Sequence, residues 1–188
     1  MGKRKTGMTK KTLNDIILSV KPVYAEKILT GEKTVELRRR FPVADSSGAI
    51  AYIYSSFPTK AIVGMAFIRE VLKLSVEQIW IKFENLVCIE RSLFNKYFEG
   101  REHGHVIIFD STKPFLRPLP LNKLREKFGF KPPQSFLYAK HDLKKALEIH
   151  AWHEVLSKRQ ERLDKEFELV IFDDLDSLCE AWKQDSNF

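Results

Sequence analysis

Between Lys21 and Arg38 the chain places four side chains able to bind or polarise a ligand: Lys21, Lys33, Glu36 and Arg38. The run Gly31-Glu32-Lys33-Thr34-Val35-Glu36-Leu37-Arg38 opens on a glycine turn and then alternates, the pattern of a half-buried strand. On a strand, Thr34, Glu36 and Arg38 share one face. Arg38 then offers a planar fork of donors to a phosphate or carbonyl, and Glu36 and Arg38 can orient one another. Lys33, at the turn, can reach the same cleft without obeying the alternation, and Lys21 can approach from the neighbouring strand. Cations gathered round one carboxylate suit an anionic ligand. Glu36 can accept a hydrogen bond from a base amino group, as carboxylates do toward cytosine, or act as a general base toward water. The competing reading is a set of surface salt bridges, since Lys and Glu commonly face solvent.

Further candidates flank this cluster. Arg39 and Arg40 extend the positive edge as phosphate contacts or as solvated charge. Ser55 and Ser56 follow a buried strand and precede Pro58, a place that presents hydroxyls and backbone N–H groups, either as a binding loop or as an ordinary turn. Tyr24, Tyr52, Tyr54 and Phe57 supply aromatic faces, one of which could stack on a base, although most aromatics of a small barrel belong to its core. His103, His105, His150 and His153 lack cysteine partners, so no metal site is expected. No Ser-His-Asp set, phosphate loop or dinucleotide fingerprint occurs, and no cofactor is implied.

The elements that must position these groups can be read along the chain. Ile16 to Val20 is a strand stopped by Pro22, which suits a first helical turn; Val23, Lys27 and Ile28 mark a short helix that Gly31 closes. Thr34 to Arg38 returns as a strand, and Asp45-Ser46-Ser47-Gly48 forms a loop. Ala49 to Tyr54 is a buried strand, and Ala61 to Leu72 a long one, with Gly64 marking a bulge or a close backbone approach. Ser75 caps a helix over Val76 to Phe83, and a second runs from Ser92 to Phe98. Val106 to Phe109 is a strand, with Pro114 and Pro118 marking irregular chain after it. Asn122 caps a helix through Lys127, ended by Gly129, and Ser135 to Tyr138 is the last strand. Short strands and short helices without an even βα repeat argue for an α+β fold, a small mixed barrel rather than a doubly wound sheet.

From Lys140 the pattern changes. Leu143, Leu147, Ala151, Val155 and Leu156 follow helical spacing with Lys and Glu on the other face. We divide the chain into a flexible basic arm (1–12), a main domain (13–139) and a helical C-terminal extension (140–188) that docks on the domain or serves a protein partner. Residues 1–139 carry 24 Lys and Arg against 13 Asp and Glu, whereas residues 140–188 carry 8 against 12. A basic body with a basic arm favours polyanions, nucleic acid first; the alternative is that a basic arm serves solubility alone. No apolar run approaches bilayer length and no apolar leader opens the chain, so a membrane partner is not expected. Two distant cysteines, Cys88 and Cys179, suit a reducing compartment, which we take as the cytoplasm.

With Leu18-Ser19-Val20-Lys21-Pro22, Gly31-x-Lys33-x-x-Glu36-x-Arg38, Tyr54-Ser55-Ser56-x-Pro58 and Pro132-Pro133-Gln134-Ser135-Phe136 in that order, the chain resembles the ASCH family, a branch of the PUA-like β-barrel superfamily. The resemblance covers residues 13–139. It implies a β-barrel with a cleft beside the helix-to-strand junction that takes RNA or a modified nucleobase. Gln134 and Ser135 would then read a base edge or brace the final strand. Some relatives are hydrolases: one branch removes the acyl group of N4-acetylcytidine using a Lys, a Thr and a Glu, and another relative is a ribonuclease. Lys33 stands at the lysine position of that amidohydrolase motif, but Glu36 replaces its threonine. Two readings follow. The preferred one is an RNA-binding or modified-nucleobase-binding protein using Lys21, Arg38, Arg39, Ser55, Ser56, Gln134 and Ser135. The alternative is a hydrolase of an N-acylated nucleoside, or a ribonuclease, with Lys33 and Glu36 as the catalytic pair.

Overall fold

The structure is a computed structural model, and it describes residues 14–43 and 46–152. Strand β1 (Ile16–Val20) leads into helix α1 (Pro22–Leu29), which begins on the proline and ends just before Gly31, at φ +81°. That left-handed backbone turns the chain into β2 (Val35–Arg38). There follow β3 (Ile50–Ser55), β4 (Ala61–Ser75), α2 (Val76–Phe83), α3 (Arg91–Tyr97), β5 (His103–Pro120), α4 (Leu121–Phe128) and β6 (Phe136–Tyr138). Helix α2 carries the expected cap: the Ser75 hydroxyl accepts from the Gln78 N–H, and the Gln78 side chain accepts from the Ser75 N–H.

The six strands form one mixed sheet in the order β2-β5-β4-β3-β1-β6. Among the described residues only β1 and β3 run parallel; the other pairs are antiparallel. Alternation assigns the two faces. Ile16, Leu18 and Val20 of β1, Ala51 and Ile53 of β3, and Ile107 and Phe109 of β5 enter one core with Ala25 and Ile28 of α1. A second core joins Val35 and Leu37 of β2, Val106 and Ile108 of β5, Ile79 of α2, Phe94 of α3 and Phe98 just after α3. Each fully buried Ile, Leu or Phe contributes about 1.5–3 kcal/mol relative to exposure, so these two clusters dominate the stability of the sheet.

The sheet curls until its two ends meet. The Arg38 guanidinium of β2, one edge strand, donates to the Ser19 carbonyl of β1 at 2.8 Å. Just beyond β2, the Phe41 ring lies 4.8 Å from that of Phe136 in β6, the opposite edge strand. A ring contact to β6 and a side-chain bond to its neighbour β1 therefore join the two ends of the sheet.

Two sequence expectations are corrected. Pro114 and Pro118 do not end a short strand; β5 runs 18 residues through both. β2 pairs only with His105 to Ile108, so beyond Phe109 one side of β5 has no strand neighbour among the described residues. A proline is tolerated there because an outward N–H would have no ladder partner. Asn122 does not cap α4, because the helix begins one residue earlier, after the extended Pro120, and no side chain caps it.

The chain divides into two units, Met1–Lys144 and Lys145–Phe188. Residues 141–152 are helical, and Leu143, Leu147 and Ala151 are buried. The basic arm, Val155, Leu156 and the remainder of the extension lie outside the described residues. No helix among the described residues is long and apolar enough to cross a membrane.

Candidate functional site

The end of β1 is the meeting point of three loops. Ser19 and Val20 pair in register with Tyr54 and Ser55 of β3. The Ser56 N–H donates to the Val20 carbonyl at 2.9 Å, and the Ser19 N–H donates to the Ser135 carbonyl at 2.9 Å. Lys21 follows at once as the residue before α1, its side chain exposed. Three of the sequence-derived segments, Lys21, Ser55-Ser56 and Gln134-Ser135, thus border one strand end. Ser55 is buried, Ser56 and Ser135 are half-buried, and Gln134 is exposed.

Beneath this rim lies the ionic cluster. Glu36 and Arg38 alternate onto the same face of β2, and the Arg38 guanidinium meets Glu36 Oε1 at 2.5 Å. Lys33 Nζ stands 3.5 Å from Glu36 Oε2 and donates to the Val87 carbonyl, in the α2–α3 connection, at 2.7 Å. The Tyr24 ring of α1 lies 5.7 Å from the same ammonium. Lys33 and Glu36 are only 3% and 6% exposed, so these are not solvated surface pairs. Burial lowers the Lys33 pKa from its ordinary 10.5, and attraction to Glu36 offsets that only in part. Arg38 Nε is buried without a hydrogen-bond partner among the described residues.

The structure therefore brings Lys33, Glu36 and Arg38 together and links them through Ser19 to Ser135. It does not bring in Lys21, which makes no ion pair among the described residues. Arg39 turns elsewhere: its Nε donates to the Tyr97 carbonyl, and its guanidinium lies 5.0 Å from the Tyr97 ring on α3. Among the described residues no group of three metal-ligating side chains gathers, and His153 lies outside them.

One group of the rim, Lys60, had little signal in the sequence, and it stands beside the Phe57 ring that the sequence did offer as an aromatic face. Phe57, in the β3–β4 loop, is 74% exposed, and Lys60 Nζ lies 5.1 Å from its ring. Lys60 is held at φ +51°, with its N–H on the Ser56 carbonyl at 3.0 Å and its carbonyl accepting from Leu121 at 2.8 Å. The polar turn and the aromatic face of Phe57 were legible, but not the cation beside that ring. The Val87 carbonyl, which anchors Lys33, had no signal, because a backbone acceptor carries none.

A mixed sheet curled into a half-barrel, with short helices around it and the end of β1 as its crossing point, is the PUA-like architecture. The family model of the ASCH domain matches residues 18–174, and the chain belongs to the ASCH domain family. It is 30% identical over 129 residues to an ASCH domain-containing ribonuclease of Zymomonas mobilis subsp. mobilis, a match spanning 68% of this chain and 86% of that protein. The crystal structure of ASCH from Zymomonas mobilis superposes with a TM-score of 0.67 at 29% identity, covering 71% of this chain and 93% of that one. A large ribosomal subunit protein uL22 of Ureaplasma parvum is 25% identical over 130 residues, 69% of this chain but 40% of that protein.

Proposed function

We propose that this protein binds RNA, and that a single strand crosses the end of β1, where Lys21, Ser56, Lys60, Gln134 and Ser135 form the rim. The observation that carries this reading is the convergence of three loops, hydrogen-bonded to the Ser19–Val20 backbone, with exposed cations and an exposed ring side by side. Ammonium groups and backbone N–H groups hold phosphates, hydroxyl and amide groups read base edges, and an aromatic face accepts an unstacked base. The excess of cations over residues 1–139 supports a polyanionic partner, and kinship with a protein named a ribonuclease supports RNA. In this reading the Lys33–Glu36–Arg38 cluster holds the frame, and Arg38 acts through Ser19. The free thiol Cys88 suits a reducing, cytoplasmic setting.

The test is a titration of fluorescent single-stranded RNA, with duplex RNA and N4-acetylcytidine as comparison ligands. Tight binding to the single strand that weakens steeply with salt, and weakens further in Lys21→Ala with Lys60→Ala, is expected. Equal retention by the double variant would remove the rim as the site. Preference for the acetylated nucleoside would move the ligand class to a modified base.

A second reading is favoured by one observation, the ribonuclease name of the Zymomonas mobilis relative, which this chain matches over 86% of its length. Lys33 and Glu36 would then be the proton-transfer pair, the lysine made easier to deprotonate by its burial. Because both are buried, substrate must open the cluster to reach them. Cleavage of single-stranded RNA by the wild type that is lost in Glu36→Gln, while RNA binding persists, supports this reading. Absence of cleavage in both ends it.

A further inference from the structure

A cavity of about 640 Å³ lies between the end of α4 and β6, and none of Lys33, Glu36 and Arg38 lines it. Its volume falls in the range of small-molecule and nucleotide sites. Phe128, Phe130 and Leu137 supply apolar lining, and Lys127, Lys131 and Lys140 supply three cations. All three lysines are exposed, and none has an ion-pair partner among the described residues. The one carboxylate that lines the hollow, Asp142, meets His141 at 3.3 Å.

We propose that this hollow is a second anchoring site for the same RNA, taking a nucleotide that flanks the segment at the end of β1, with its phosphates on Lys127, Lys131 and Lys140 and its base against Phe128 and Phe130. The inference rests on the RNA-binding reading above. Two features join the hollow to that rim. The Phe130 ring meets that of Tyr54 edge-on at 5.8 Å, and Tyr54 immediately precedes Ser55. Lys131 stands on the same loop as Gln134 and Ser135, separated from them only by Pro132 and Pro133. A strand leaving the rim along this loop meets the lysines next. Unpaired cations beside apolar and aromatic surface are the combination that single-stranded nucleic acid needs, since the phosphates and the π-faces of its bases are satisfied together.

The experiment uses the full chain and a labelled single-stranded RNA of about a dozen nucleotides, titrated over a range of salt. Lys127→Ala, Lys131→Ala and Lys140→Ala are combined in one variant, and Lys82→Ala, Lys96→Ala and Arg101→Ala in a control of equal charge. At about 0.7 in the salt slope per phosphate contact on a single strand, loss of three contacts lowers the slope by about 2 in the first variant and leaves it unchanged in the control. Binding of an RNA of three or four nucleotides, too short to reach both places, is expected to be the same in both variants. A salt slope and affinity that match the control on the longer RNA overturn the second site while leaving the rim intact. Failure of the wild type to bind either RNA overturns both readings at once. Melting temperatures equal to wild type establish that the variants are folded.

Discussion

Arg38 and Ser19 hold the two ends of the sheet together. The guanidinium on β2 donates to a carbonyl of β1 that β6 is too short to reach, since β6 pairs only with Ile16 to Leu18. The same guanidinium is held by Glu36, and Glu36 by Lys33, whose ammonium is tied in turn to Val87. A chain of ionic contacts therefore runs from the α2–α3 connection, through the edge strand, to the strand end where the loops meet. These charges set the geometry of the rim from below.

Arg38→Ala is expected to destabilise the protein by about 3–5 kcal/mol, because it leaves Glu36 buried with one cation fewer and the Ser19 carbonyl without its donor. Arg38→Lys keeps the charge but supplies one point donor in place of a fork, so it should recover only part of the loss. Urea unfolding of both variants measures this. A loss below about 1 kcal/mol in the alanine variant would show that the sheet ends do not depend on the contact.

Lys33→Met should cost about 1–3 kcal/mol, since the Val87 carbonyl loses a buried donor. The cost should also depend on pH. Burial lowers the Lys33 pKa in the folded state, so between that lowered value and 10.5 the unfolded chain binds more protons. Wild-type stability then gains with rising pH in that alkaline window, and the methionine variant lacks the gain. The stability gap between the two proteins is expected to widen as pH rises toward 10.5; a constant gap in that alkaline range would refute the buried-lysine account.

How much of this was legible depends on the kind of signal. β1, α1, β2 and α2 follow from local rules: a short apolar run at Ile16–Val20 stopped by Pro22, alternation at Val35–Arg38, Pro22 at a helix start, and Ser75 with Gln78 as a capping box. The length of β5 was hidden because Pro114 and Pro118 read as breaks unless the strand is known to be exposed along that side. The identities of Lys33, Glu36 and Arg38 were legible from spacing, and so was the face that Glu36 shares with Arg38. Their depth was not, because it is set by Val87, 54 residues from Lys33, and by the return of β1 against β2. A motif names its side chains, whereas tertiary packing decides whether they meet ligand or frame.

Gly64 permits a close approach that no other residue would. A Cβ there would lie 2.5 Å from the Lys113 carbonyl oxygen, 2.6 Å from Leu29 Cδ2 and 3.0 Å from Pro114 Cα. Two of these neighbours are backbone of β5, so relief requires the strands to part. Gly64→Ala is expected to cost about 1–3 kcal/mol. Gly31→Ala meets no atom within 4 Å and pays only for its left-handed backbone, about 1 kcal/mol. Denaturation midpoints should rank wild type, then Gly31→Ala, then Gly64→Ala; the reverse order of the two variants would contradict the packing.

His105 is expected to make the fold sensitive to mild acid. It stands on β5 between Arg38 of β2 and Lys73 of β4, each directly opposite in register. Burial lowers its pKa from 6.5, repulsion from Lys73 adds to this, and the neighbouring backbone of Arg39 and Arg38 offsets part of it. Below 6.5 the unfolded chain therefore takes up a proton that the folded chain resists. Stability falls as pH drops through this window and is regained as pH rises to 6.5. His105→Gln has no proton to gain, so its loss of stability between pH 7 and pH 5 should be smaller than that of wild type. Urea midpoints at the two pH values give the comparison, and parallel decline in both proteins would exclude His105 as the source. Its position beside Arg38 makes the outcome bear on the rim as well, because an imidazolium there adds a third cation to the strip that holds the sheet ends together.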